Sequence, residues 1–289
     1  MRHRGALLLT CGLIAGCGGD GGSADLVERL PGDARALSVI DLAAVKERLG
    51  LPEDADPTQP PGAGGGEAQA RLFAYAGGAF PYLARLDRNF TQAIDESRVT
   101  QAASTPVSGP DTVVVLATEQ PFDDEIAKRL ERVGYRERDG LLVTQEGGGP
   151  GSFPAVGGQE GVVVLAGDAQ TVERTLEGEL PGGPTRELLG EVDGPVRDAT
   201  TLGGPSCVRG VGLGDSIDPP EVELVVRVEG KARADRLGDP RAGGDDSFRP
   251  GDADADGDLA RVPLTYRPRP GTAPIQTLIA RFARPYRCP

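Results

Sequence analysis

Cysteine and histidine are the side chains of widest chemical reach, and this 289-residue chain carries four of the first and one of the second. The single histidine is His3, inside "MRHRGALLLTCGLIAGC" (1–17), so the rest of the chain has no imidazole. Once that segment is removed, nucleophile–histidine–acid triads, histidine general bases and histidine metal sites have nothing to work with. Cys11 and Cys17 lie in the same segment, which leaves Cys207 and Cys288 as an even pair. In an oxidising compartment the two are expected to close one disulfide. No Cys-x-x-Cys spacing points to a redox-active dithiol.

The acids are more numerous: 44 Asp and Glu against 31 Lys and Arg give a formal charge of −13, a poor balance for nucleic-acid binding. In "GDADADGD" (251–258), Asp252, Asp254, Asp256 and Gly257 match the opening of a calcium loop, where alternate carboxylates converge and glycine permits the bend. The match then stops, because Ala260 and Pro263 stand where the ninth and twelfth loop positions need ligands. The expectation is a solvated acidic loop, with Asp252, Asp254, Asp256 and Asp258 as weak cation candidates, no resident metal and no cofactor. Carboxylate pairs for sugar hydrolysis have many combinations to draw on, but the chain has no Trp, 7 Phe and 5 Tyr for stacking platforms. "GVGLG" (210–214) and "GGGPG" (147–151) lack the strand–turn–helix setting and the Gly-Lys-Ser/Thr of a phosphate cradle, and are expected to be flexible loops.

Two short stretches resemble known families. "GDSI" (214–217) resembles the first block of the GDSL esterases, in which the serine is the nucleophile. That family also needs an Asp-x-x-His near its carboxyl end, which is missing here, so Ser216 reads as a turn residue before Pro219 and Pro220. At the amino end, Arg2, His3 and Arg4 precede an apolar run that ends in Leu13, Ile14, Ala15, Gly16 and Cys17, which is similar to the lipobox of bacterial lipoproteins. The run is about half the roughly 20 residues a spanning helix needs. The resemblance implies cleavage before Cys17, diacylglyceryl and further acyl groups on that residue, and a chain held at the outer side of the cell membrane. An ordinary cleavable signal and an uncleaved anchor are the competing readings. Removing Arg2 and Arg4 takes the formal charge from −13 to −15, so an anionic surface repels the domain and the acyl chains alone must hold it. With 28 Arg against 3 Lys, the composition has the coding bias of a GC-rich, actinobacterial-type source.

Positioning falls to a recurring unit. "TVVVLATEQPFDDEIAKRLERVG" (112–134) reads as a buried strand and then a helix with Phe122, Ile126, Leu130 and Val133 on one face. "GVVVLAGDAQTVERTLEG" (161–178) repeats the plan 49 residues later, with Asp168 as cap, Val172 and Leu176 inward and Gly178 as stop. "ALSVIDLAAVKERLG" (36–50), capped by Asp41, is a shorter version, and "EVELVVRVEGKARADRLG" (221–238) a weaker one. True duplication and convergence both account for these units. A helix is expected around Glu67 to Leu86, free-standing strands at 141–145 and 277–283, and Gly/Pro/Asp loops at 51–66, 146–152 and 239–258. The predicted fold is α+β: a mixed, largely antiparallel sheet with helices on one face, built from repeated strand–helix units. Residues 1–16 form the signal, 17–25 the lipidated cysteine and tether, and 26–289 an extracytoplasmic domain with room for two similar halves. Its expected function is non-catalytic binding of an envelope protein or small ligand. A carboxylate-dependent hydrolase and a small-molecule receptor are the alternatives.

Overall fold

The computed structural model describes residues 26–60, 66–79, 93–105, 112–122, 124–144, 153–159, 161–178, 180–237, 247–269, 274–275, 278 and 286–288. The signal, Cys17 and the tether lie outside them, as do the loop 146–152 and most of the strand expected at 277–283, where the one described residue, Leu278, is helical.

The valine-rich runs become strands. β1 (Ala36–Asp41), β2 (Val99–Ser104), β3 (Val113–Thr118), β4 (Tyr135–Arg138), β5 (Leu141–Thr144), β6 (Ala155–Gln159), β7 (Val162–Ala166), β8 (Val196–Thr201), β9 (Val208–Asp215), β10 (Glu221–Val228), β11 (Phe248–Pro250), β12 (Asp254–Asp256) and β13 (Leu259–Tyr266) join in one thirteen-stranded sheet. The order is β11-β13-β10-β9-β8-β1-β2-β3-β7-β6-β5-β4, with β12 also on β13, and every pairing is antiparallel. Among the described residues five helices of six residues or more accompany it: α1 (Leu42–Arg48), α2 (Glu67–Ala79), α3 (Asp124–Arg132), α4 (Ala169–Glu177) and α5 (Pro184–Leu189). A helical turn at 26–28 opens the described chain. The protein is thus a mixed α+β fold on a large antiparallel sheet.

The expected single helical face is corrected by the core. Strand side chains alternate between two sides, and both sides are apolar. Ile40, Val114, Leu116, Val163 and Leu165 pack with Leu42, Leu72, Tyr75, Ile126 and Leu130 from α1, α2 and α3. Leu37, Val39, Val113, Val115 and Val164 pack with Leu26, Leu30, Val172, Leu188 and Leu189 from the opening turn, α4 and α5. Continuous β-branched runs such as Val113–Val115 are apolar on both sides, so each side needs its own cover.

The repeated Val-Val-Val-Leu-Ala segments are direct neighbours. Val115 pairs with Val164, and the register runs outward from them to Val113↔Ala166 and Ala117↔Val162, so the two copies meet about a local two-fold axis. Their helices break that symmetry, because α3 covers one face and α4 the other. Asp41 caps α1 by accepting from the Ala44 N–H, Asp168 caps α4 by accepting from the Thr171 N–H, and Gly178 ends α4 at φ 74°. The unit at 221–238 keeps only its strand; a 3₁₀ turn at Ala234–Arg236 replaces its helix.

"GVGLG" is no loop but the middle of β9. Its alternate glycines bring the segment from Leu188 to Asp193 down onto the sheet: a Cβ at Gly210 would lie 2.7 Å from Leu188 Cδ2, and one at Gly214 would lie 2.0 Å from the Asp193 carbonyl oxygen. Close backbone approach explains these glycines, not flexibility.

Candidate functional site

Most residues with chemical potential in the sequence take structural positions. Cys207 and Cys288 form a disulfide with Cα atoms 5.7 Å apart. The bond fixes the end of the chain beside β9, where Leu237 bridges to Tyr286 and the Arg287 N–H donates to the Arg236 carbonyl. The acidic motif folds as a β-hairpin: Asp254 and Asp256 lie on exposed β12, Gly257 turns at φ 58°, and Asp258 faces the Arg227 Nε at 3.6 Å. Asp254 and Asp256, two residues apart on the strand, share one exposed face, and the described residues contain no group of three or more Asp, Glu, His or Cys able to hold a metal. Ser216 sits in the turn after β9, where its carbonyl and that of Asp218 accept from the Arg48 guanidinium at 3.0 and 2.7 Å.

Among the described residues, three acids are buried instead. Asp215 is fully enclosed and accepts from the Tyr75 hydroxyl at 2.9 Å, the Tyr266 hydroxyl at 3.0 Å and the Ile217 N–H at 2.8 Å. Burial pushes its carboxyl up to about 6, against the pull of those donors. Burial likewise raises Tyr75 and Tyr266, and the Asp215 charge adds to both shifts. Asp198 lies in the centre of the sheet and is pushed up to about 6 by burial, with a hydrogen bond from Ser38 opposing. Burial takes Glu96 to about 7, with Asp56 and Asp95 adding like charge and a Thr58 hydrogen bond opposing. Asp198, Asp215 and Glu96 are all at most 8% exposed, and none lines either of the clefts described next.

Those clefts flank α4. The first, about 460 Å³, lies between its start and the β4–β5 hairpin, lined by Arg138, Asp139, Val143, Thr144, Asp168 and Glu173 among others. The second, about 330 Å³, lies between α4 and two Leu-Pro-Gly loops, "LPGD" (30–33) and "LPGG" (180–183). The loops touch backbone to backbone: a Cβ at Gly32 would lie 2.1 Å from the Pro181 carbonyl oxygen, and one at Gly183 would lie 1.9 Å from that of Gly32. Only glycine allows this approach.

The first loop belongs to a clasp that ties the start of the described chain to α4 and α5. Leu26 and Leu30 are buried, each contributing about 2 kcal/mol by burial. The Arg29 guanidinium donates to the Leu176 carbonyl at 2.9 Å, the Thr185 hydroxyl donates to the Ala34 carbonyl at 2.7 Å, and the Arg186 guanidinium donates to the carbonyls of both Leu30 and Leu180. Burial holds Arg186 below its ordinary range, with the Glu28 charge opposing.

Within the second cleft three groups stand out. Thr175 is fully buried, yet its hydroxyl has no hydrogen-bond partner among the described residues. Arg174 and Asp33 both line the cleft, both are exposed, and they form no ion pair with each other or with any other described residue. Sequence reading missed all three. The repeated Leu-Pro-Gly was the available signal, but nothing in a sequence shows that two loops 150 residues apart will touch.

No protein-family model and no curated protein matches the chain. Among solved structures it is similar to TP0453 in crystal form I, with a TM-score of 0.41 and 10% identity over 90% of this chain and 98% of that one. Crystal form III gives a TM-score of 0.42 and 10% identity over 88% and 97%. Likenesses at these scores carry no argument about function.

Proposed function

We propose that the chain is a bacterial lipoprotein, anchored through acyl groups on Cys17 on the extracytoplasmic side of the membrane, that acts by binding an envelope component rather than by catalysis. The observation that carries the reading is the clasp. The nine residue steps from Cys17 to buried Leu26 span at most about 30 Å even when extended, so the lipid end and the α4–α5 face stay close. A fixed point of attachment suits a domain that works next to its membrane. No helix among the described residues is long and apolar enough to cross a membrane, and two or more acyl chains suffice for stable attachment. The buried positions of Asp198, Asp215 and Glu96 support binding over carboxylate catalysis, since a general acid has to reach its substrate.

The test is mass spectrometry and fractionation of native material. The expected product begins at Cys17, carries acyl mass there and sediments with membranes, whereas Cys17→Ala is released in soluble form. An unmodified thiol at Cys17, or an intact Met1, overturns the anchor. Crosslinking in intact membranes then tests binding, with Cys17→Ala as the control that loses the partner.

A further inference from the structure

We infer that the two Leu-Pro-Gly loops and the start of the described chain form the membrane-facing surface of the domain, seated against the phospholipid headgroup layer. The inference deepens the anchored function proposed above and rests on it.

Geometry limits the choice of face. The tether enters the domain at Leu26, which packs into the apolar layer shared with α4 and α5. Its nine steps from Cys17 reach at most about 30 Å. A folded unit of this length has a radius of gyration of about 18 Å, which makes it roughly 45 Å across. The path over the surface from Leu26 to the face covered by α1, α2 and α3 is longer than that diameter. That face therefore cannot turn to the lipid while Cys17 is anchored. The Arg186 guanidinium holds the Leu30 and Leu180 carbonyls together, so the loops and the root of the tether move as one.

Charge makes the choice independently. From Leu180 to Thr185 no side chain is charged, and Pro181, Gly182 and Pro184 are exposed. Over residues 26–35 and 180–187, Arg29, Arg35 and Arg186 balance Glu28, Asp33 and Glu187. All the excess negative charge of the domain lies elsewhere. Asp54, Asp56, Asp95 and Glu119 act by charge on Lys46 of α1, and exposed Asp254 and Asp256 stand on β12 at one end of the sheet. In physiological salt such fields fade within about 8 Å, so an anionic headgroup layer responds to the face that touches it and not to the net charge. The clasp meets no net repulsion there, and its proline–glycine tip has no charge to desolvate. This seating leaves the α1–α3 face turned to the aqueous side, open to an envelope partner.

The chain has no Trp, so one introduced Trp is the sole indole reporter. Pro181→Trp in the second loop, Asp54→Trp on the α1 side and Glu137→Trp on the β4 edge all replace exposed residues. Each variant is made as the full lipidated protein and reconstituted into vesicles of phosphatidylethanolamine and phosphatidylglycerol that include a lipid with a nitroxide on its headgroup. Quenching of Pro181→Trp is expected to exceed that of either other reporter at least twofold. Hydrogen exchange gives the same reading without a reporter. On the vesicles, wild-type residues 30–35 and 180–186 should exchange severalfold more slowly than in soluble Cys17→Ala, with residues 53–59 unchanged. Equal quenching at the three positions, stronger quenching at Asp54→Trp or Glu137→Trp, or unaltered exchange in the loops overturns the surface. Flotation separates this inference from the one beneath it: wild type that does not float with the vesicles overturns the anchor and this surface together. Protein that floats with its loops unquenched keeps the anchor, overturns the lipid contact and leaves that face to a protein partner.

Discussion

At the scale of single residues, burial of polar groups sets both the cost carried by Thr175 and the strongest pH effects. Thr175 holds an unsatisfied hydroxyl in an apolar setting, and such a group costs about 1–3 kcal/mol relative to a methyl of the same shape. Thr175→Val is therefore expected to stabilise the free protein by about 1 kcal/mol, read as a rise in urea midpoint at unchanged slope; a fall of that size would show that the hydroxyl is satisfied. Asp198 acts through its proton. Its carboxyl titrates near 6 in the folded chain and near its ordinary 3.8 when unfolded, so unfolding releases a proton between those values. Stability from this group is highest below about pH 4, declines as pH rises and is fully lost above about pH 6. Asp198→Asn carries no such penalty. Its advantage over wild type should grow across that window and then level off, as measured by urea unfolding at about pH 4, 5, 6 and 7.5. A constant difference would mean that Asp198 stays ionised.

Among elements, the decisive contact is the one between the two Leu-Pro-Gly loops. Gly32 and Gly183 each face the other loop's backbone at distances that a Cβ would turn into overlap, and backbone cannot swing aside as a flexible side chain can. Gly32→Ala and Gly183→Ala should each destabilise by roughly 1–3 kcal/mol, in the range of other overpacking changes, by prying the clasp from α4. Hydrogen exchange checks the location: protection should fall at residues 26–34 and 180–186, with little change in β9 or β10. Uniform loss across the sheet would argue against a separable clasp. α4 shows in turn how an element can be legible while its place is not. Its cap Asp168, its inward Val172 and its stop Gly178 are all plain in the sequence, yet whether it covers the same face as α3 depends on how the chain leaves β7.

For the molecule as a whole, the questions are how a thirteen-stranded sheet is closed off and how its far end is held. One edge is β4, whose exposed Arg136, Glu137 and Arg138 discourage pairing with another chain, and the other edge is the short β11, which contains Pro250. The terminal segment depends on a covalent tie. With its cysteines 81 positions apart, the Cys207–Cys288 bond should stabilise the fold by about 4 kcal/mol through the entropy of the unfolded chain. Reduction with dithiothreitol, or replacement of both cysteines by alanine, should lower the urea midpoint accordingly and free residues 286–288 from β9. An unchanged midpoint would show that the segment holds without the bond.

The sequence by itself determined the strands at 36–41, 113–118, 141–144, 162–166 and 221–228, the caps at Asp41 and Asp168, the partnership of Cys207 with Cys288 and the absence of imidazole beyond His3. Each of these follows from local periodicity, hydrogen-bonding capacity or counting. Only the tertiary structure decided that the two Val-Val-Val-Leu-Ala segments would lie side by side, that helices would cover both faces, and that Gly210 to Gly214 would form a strand pressed against Leu188. It also decided that Asp33, Arg174 and Thr175 would share one cleft. The physical reason is range. Propensity and capping act within a few residues, whereas the face a helix covers and the loops that touch depend on pairings between segments as far apart as Ala36 and Thr200, which local sequence does not encode.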